Sequence, residues 1–175
     1  MALKRQRVAR EVVGLSRHAA TVRQARRRRA IDVGTTDPQR AVESADLVIL
    51  ATPVEMIVPY ALRLAPSMPP GSILTDVGST KVQIVQALQR RLPSQVRFVG
   101  AHPLAGSERR GLAAAHRQLF DGSICLLTPT ARTDRAALHR VTRLWSAVGA
   151  RTLCLSPARH DRLLARTSHV SHAVA

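Results

Sequence analysis

The chain has 175 residues, 45% of them hydrophobic, with 27 Lys and Arg against 11 Asp and Glu and a formal net charge of +16. That length fits one ordinary domain with a real core, which excludes a disordered polymer. Apolar runs fall short of the roughly 20 residues of a membrane-spanning helix, and the basic N-terminus lacks the apolar segment of a secretory signal.

The charge is carried almost wholly by arginine, since the only lysines are Lys4 and Lys81. Arginine codons are GC-rich and lysine codons are not, so the skew resembles codon bias. Aromatic residues are 2% of the chain, which leaves few platforms for stacking bases. The dense run Arg26 to Arg29 closes a predicted helix, where cations face the negative helix end. These features favour a solvated helix face over a nucleic-acid-binding surface. Cys125 and Cys154 sit in apolar stretches without metal-site spacing and read as buried reduced thiols. A reducing compartment, the cytoplasm, follows from them as an expectation.

In chain order, residues 11–15 read as a strand and 19–29 as a helix. A short helix at 39–44 precedes the apolar strand 47–51 and a helix at 54–65. A strand at 72–75, a helix at 80–91 and a strand at 96–100 come next. Strands at 123–127 and 151–155 flank a helix at 135–148, and the tail from Pro157 is helical. Continuous apolar strands alternating with helices predict an α/β fold, a Rossmann-like doubly wound, mainly parallel sheet with helices on both faces. In such sheets ligands lie beyond the carboxyl ends of the strands.

The residues at those ends are therefore the candidates. After Leu15 come Ser16 and Arg17, where a dinucleotide fold reads the adenosine ribose. An acid there suits NAD and an arginine admits the 2′-phosphate of NADP, although an ordinary polar turn also explains the pair. Thr52 and Pro53 follow the next strand; Pro53 begins a helix that Thr52 can cap, and a plain turn accounts for both. Asp76-Val77-Gly78-Ser79-Thr80-Lys81 places Ser79 at a helix N-terminus, either as a cap or aimed at a ligand. In Gly100-Ala101-His102-Pro103, the proline pushes His102 into an extended conformation at the sheet edge. An imidazole there suits proton transfer near neutrality, though a lone histidine is more often structural. No Gly-x-Gly-x-x-Gly loop occurs in the chain. Its usual offset from Ser16, roughly 20 residues, would put it before Met1.

Taken together, these strings resemble the prephenate dehydrogenases, including the arogenate and cyclohexadienyl variants. The resemblance rests most on Asp76-Val77-Gly78-Ser79-Thr80-Lys81 and on residues 100–108, Gly-Ala-His-Pro-Leu-Ala-Gly-Ser-Glu. Ala51-Thr52-Pro53-Val54, Leu119-Phe120-Asp121-Gly122, His160-Asp161 and Thr167-Ser168-His169-Val170-Ser171-His172 keep the order and spacing. The resemblance implies oxidative decarboxylation of prephenate or arogenate, a small-molecule substrate, with hydride passing to NADP or NAD. It implies that His102 accepts the substrate hydroxyl's proton and that Ser79 bridges hydroxyl, histidine and nicotinamide. Thr52 and Pro53 would line the nicotinamide, Glu108 the cleft mouth and His172 the substrate pocket. Residues 1–156 are expected to be a partial dinucleotide-binding domain and 157–175 the start of a helical substrate and dimerisation domain, the full-length form being a homodimer. With the first strand, the phosphate loop and the rest of the helical domain expected outside the chain, these 175 residues are expected to be a fragment, poorly soluble, weak in binding NAD(P)⁺ and inactive. Other readings are a different Rossmann-type dehydrogenase, a nucleic-acid-binding module, or an inactive remnant.

Overall fold

A computed structural model describes residues 1–105, 111–112 and 115–166. A short helix α1 (Ala2–Arg5) leads into strand β1 (Val13–Leu15), helix α2 (Ala19–Arg27) and strand β2 (Val33–Thr35). Then come α3 (Pro38–Val42), β3 (Leu47–Leu50), α4 (Val54–Leu64), β4 (Ile73–Asp76) and α5 (Val82–Arg91). The last third holds β5 (Arg97–Val99), β6 (Ala101–Leu104), β7 (Ile124–Leu127), α6 (Arg135–Ala147), β8 (Arg151–Cys154) and α7 (Pro157–Leu164).

The strands form three ladders: β1-β2, β3-β4-β5 and β6-β7-β8. All pairings are parallel except β6 with β7, where His102 stands opposite Leu126. The α/β class with parallel strands and covering helices is borne out. Two strands, β2 and β6, are additions to the sequence reading. β2 holds only Val33, Gly34 and Thr35 and carries no apolar run to betray it. β6 separates from β5 at Gly100, where the chain leaves its parallel partner β4 for the antiparallel partner β7. A Cβ on Gly100 would lie 2.5 Å from the Thr128 hydroxyl, so only glycine lets β7's end come this close.

Local chemistry sets the helix starts. Asp37 accepts the amides of Gln39 (2.9 Å) and Arg40 (3.4 Å) ahead of Pro38. Asp134 and Ser156 do the same for α6 and α7, accepting from Ala137 and Arg159. Two cores result. One packs β5, β6, β7 and α6 around Val99, Leu127, Val141 and Trp145, with Phe120 edge-on to Trp145 at 5.2 Å. The other packs α4 and α5 against β3 and β4 through Ile57, Ala61, Leu74 and Leu88. Among the described residues no helix is long and apolar enough to cross a membrane. Cys125 is buried as expected, and burial pushes its thiol up to about 12. Cys154 corrects the sequence reading: it is exposed, because β8 runs along the rim of its ladder beside β7 alone.

Candidate functional site

The carboxyl end of β4 organises the site. Asp76, its last residue, is fully buried and accepts the amides of Gly78 (3.0 Å) and Ala101 (3.3 Å). Lys81 Nζ, equally buried, donates to Asp76 and to the Ala101 carbonyl at 2.8 Å. Burial raises the Asp76 carboxyl and lowers the Lys81 ammonium, and each opposes the other's shift by its charge. The pair therefore clamps the loop 77–80 between β4 and α5 and ties it to the first residue of β6. Sequence reasoning quoted both residues but assigned neither a role. An Asp and a Lys five apart resemble a surface pair until the fold closes over them.

Ser79 rides on that clamped loop, exposed to solvent and without a hydrogen bond among the described residues. It does not cap α5, which starts at Val82 rather than at Thr80. Its orphan amides are taken instead by Asp161 from α7: Oδ1 accepts Lys81 N at 2.8 Å and Oδ2 accepts Val82 N at 3.0 Å. Burial works to raise the Asp161 carboxyl, but the Val82 amide, the His160 ring and the Lys81 amide outweigh it and hold it below its usual range.

His102 lies in β6 rather than in a loop after β5, half-buried, one residue from the Asp76 and Lys81 contacts at Ala101. Its Nδ1 meets His160 Nε2 at 2.9 Å, the rings 5.2 Å apart and inclined by 61°. His160 Nδ1 in turn meets Asp161 Oδ1 at 2.7 Å. Burial chiefly, with help from His160 and Lys81 and against Asp161, lowers His102 to about 4. The imidazole is therefore neutral at physiological pH and, in this fold, a weaker base than the ordinary histidine that the sequence suggests. His160 and Asp161 were likewise quoted without a role. Their contribution depends on α7 folding back onto β6, which no local pattern reveals.

The expected cofactor residues follow β1 and β3, strands of two different ladders. Ser16 follows β1 and donates its amide to the Thr35 carbonyl at 3.3 Å, closing the end of that ladder. Its hydroxyl accepts the His18 amide at 3.2 Å, and exposed Arg17 donates to the His18 ring at 3.0 Å. Thr52 and Pro53 follow β3. Pro53 holds the N-cap position of α4, so Thr52 does not cap that helix. Instead Thr52 Oγ1 is shielded and has no hydrogen-bond partner among the described residues. A buried hydroxyl left unpaired costs about 1–3 kcal/mol, so this end of β3 offers a free polar group to a ligand. A dinucleotide laid across the strand ends would find an arginine at one and an unsatisfied hydroxyl at the other, and these residues fit it. Glu108 and His172 lie outside the described residues.

The comparisons with known proteins identify the family. The family model described as prephenate dehydrogenase, nucleotide-binding domain, matches residues 1–154. The cyclohexadienyl dehydrogenase of Zymomonas mobilis is 39% identical over 152 residues, covering 85% of this chain and 52% of that protein. The prephenate dehydrogenase of Bacillus subtilis is 40% identical over 135 residues, covering 77% of this chain and 36% of that protein. A crystal structure of the Aquifex aeolicus prephenate dehydrogenase, in complex with hydroxyphenyl propionate and NAD⁺, superposes with a TM-score of 0.92. It is 32% identical, over 99% of this chain and 60% of that one. The chain thus spans about half, or less, of the length of these curated relatives. With the match running almost from end to end, the chain belongs to the prephenate dehydrogenase family, in its nucleotide-binding domain.

Proposed function

We propose that this chain supplies the dinucleotide-binding part of an enzyme of tyrosine biosynthesis that oxidatively decarboxylates prephenate or arogenate. The observation that carries the reading is His102: a neutral imidazole, engaged through Nδ1, beside the clamped end of β4. Its Nε2 accepts the proton of the substrate's ring hydroxyl. The carbon bearing that hydroxyl gives up a hydride, the ring carboxylate leaves as CO₂ and the ring becomes aromatic. A bound nicotinamide supplies the hydride acceptor. Ser79, free on its loop, hydrogen-bonds the substrate hydroxyl and steadies it against His102. Thr52 and Pro53 hold the nicotinamide end of the cofactor. Ser16 and Arg17 hold the adenosine ribose, and the arginine favours acceptance of NADP⁺ beside NAD⁺. Glu108 at the cleft mouth and His172 in the substrate pocket complete the site in this reading.

Residues 1–156 form the dinucleotide-binding unit, and residues 157–175 open a helical unit through which the whole protein pairs as a cytoplasmic homodimer. The end of the family match at residue 154 supports that boundary. The test is a chimera in which this chain replaces the matching stretch of the Zymomonas enzyme. The chimera should reduce NADP⁺ and NAD⁺ in the presence of prephenate or arogenate. His102→Ala should lower its turnover by about 100-fold, the usual scale of general acid–base help. A chimera that binds cofactor but turns over neither substrate, or one indifferent to His102→Ala, would overturn the assignment.

A further inference from the structure

The neutral His102 ring has two forms, which differ in the nitrogen that carries the proton. An imidazole presents a lone pair at one nitrogen and a proton at the other, and the partner of one nitrogen dictates the state of its opposite. Only the form with a proton on Nδ1 leaves Nε2 free to act as a base.

The contacts of α7 determine that form. Asp161 receives the amides of Lys81 and Val82 at the N-terminus of α5, where the helix dipole also favours an anion. It is thereby a carboxylate, which can only accept. His160 Nδ1, 2.7 Å away, must carry a proton and donate it. With a single proton on the His160 ring, its Nε2 presents a lone pair and accepts. His102 Nδ1, 2.9 Å from that nitrogen, must donate in turn. Nε2 of His102 is left with its lone pair, and it has no hydrogen-bond partner among the described residues. The series starts from a carboxylate held by two backbone amides. His160 is fully buried, so water cannot substitute for it.

We propose that Asp161 and His160 are positioning residues that lock His102 in its Nδ1-protonated tautomer, so that the N-terminus of α5 dictates the state of the catalytic nitrogen. This rests on the assignment of His102 as the base. When His102 takes up a proton, the same chain of contacts places the charge in line with the Asp161 carboxylate. A purely structural role, stapling α7 to β6, would require packing at these positions but no particular tautomer.

Nitrogen-15 spectra of histidine side chains in the 175-residue protein separate the two. At neutral pH, Nδ1 of His102 and of His160 should appear protonated and both Nε2 atoms unprotonated. His160→Gln keeps an acceptor for His102 and a donor for Asp161, so His102 should retain its single tautomer. His160→Leu fills the space without either function, and the unprotonated Nε2 signal of His102 should be lost to a mixture of tautomers. Asp161→Ala should mix the tautomers of both rings. In the chimera, His160→Leu should cost at least about 10-fold in turnover and little in KM, with recovery in His160→Gln. A wild-type His102 protonated at Nε2, or one whose tautomer survives both His160→Leu and Asp161→Ala, would overturn the proposal, and the wild-type spectrum decides even where a variant does not fold. Failure of the base assignment shows differently: the tautomers would be as stated while His102→Ala kept its turnover.

Discussion

At the scale of single residues, the buried charges around β4 dominate. Asp76 and Lys81 have no exposed side-chain surface, and each is satisfied by the other and by backbone. Removing one partner strands the other without water, which typically costs about 3–5 kcal/mol. Lys81→Met should lower the chain's stability by that amount in urea unfolding, and the double variant with Asp76→Leu should recover a large part. Equal losses in the single and double variants would mean that the cavity, not the stranded carboxylate, sets the cost. His102 has a different signature. Its ordinary value of 6.5 falls to about 4 in the fold, so the folded state prefers the neutral ring. The stability this represents is present above about 6.5 and is lost as pH falls toward about 4, because the unfolded chain binds the proton first. Burial is the main cause of the shift; the Lys81 ammonium adds to it, the Asp161 carboxylate opposes it, and the His160 ring faces His102. Thermal midpoints measured between those two pH values should decline for the wild type and decline less for His102→Gln.

At the scale of elements, the strand ends present the chemistry only because the helices sit close to their strands. Gly34 in β2 is where α2 comes nearest: a Cβ there would lie 2.2 Å from a methyl of Val22. Gly34→Ala must push α2 outward or force Val22 from its rotamer, and overpacking of this kind costs about 1–3 kcal/mol. Because α2 begins just after Ser16 and Arg17, weaker cofactor binding should accompany the lost stability. Urea unfolding and cofactor titration of the Gly34→Ala chimera check both effects, and a fully stable variant would show that α2 yields freely. The elements also show how far the chain's pattern could be read. The apolar run at β3 and the 3.6-residue spacing in α5 were legible, because burial of a continuous strand or of one helix face imposes its own period. β2 escaped notice, since a three-residue strand containing a glycine has too few positions to show a period. The division between β5 and β6 escaped too, because residues 97–104 are extended throughout and only their partners change.

At the scale of the whole molecule, the excess of cations matters most. A net charge of +16 on 175 residues repels itself in the compact state. Ion pairs such as Arg5 with Asp121 at 2.9 Å relieve little of it, because the acids are outnumbered. Added salt screens such repulsion over about 10 Å at 0.1 M, so the thermal midpoint should rise with sodium chloride from low ionic strength. A falling midpoint would mean that the ion pairs outweigh the repulsion. The amino-acid sequence by itself determined the α/β class and singled out Ser16, Thr52, Ser79 and His102, at or after strand ends, as candidates for the site. Those features are carried by local periodicity and by short strings, which need no fold to be read. Only the tertiary structure decided that Asp76 and Lys81 form a buried pair, that the Thr52 hydroxyl is unpaired among the described residues, and that Asp161 caps a helix 79 residues upstream while His160 meets His102. Burial and partners of this kind belong to segments distant in the chain. They come into being when α7 closes over β6, and no stretch of sequence contains them.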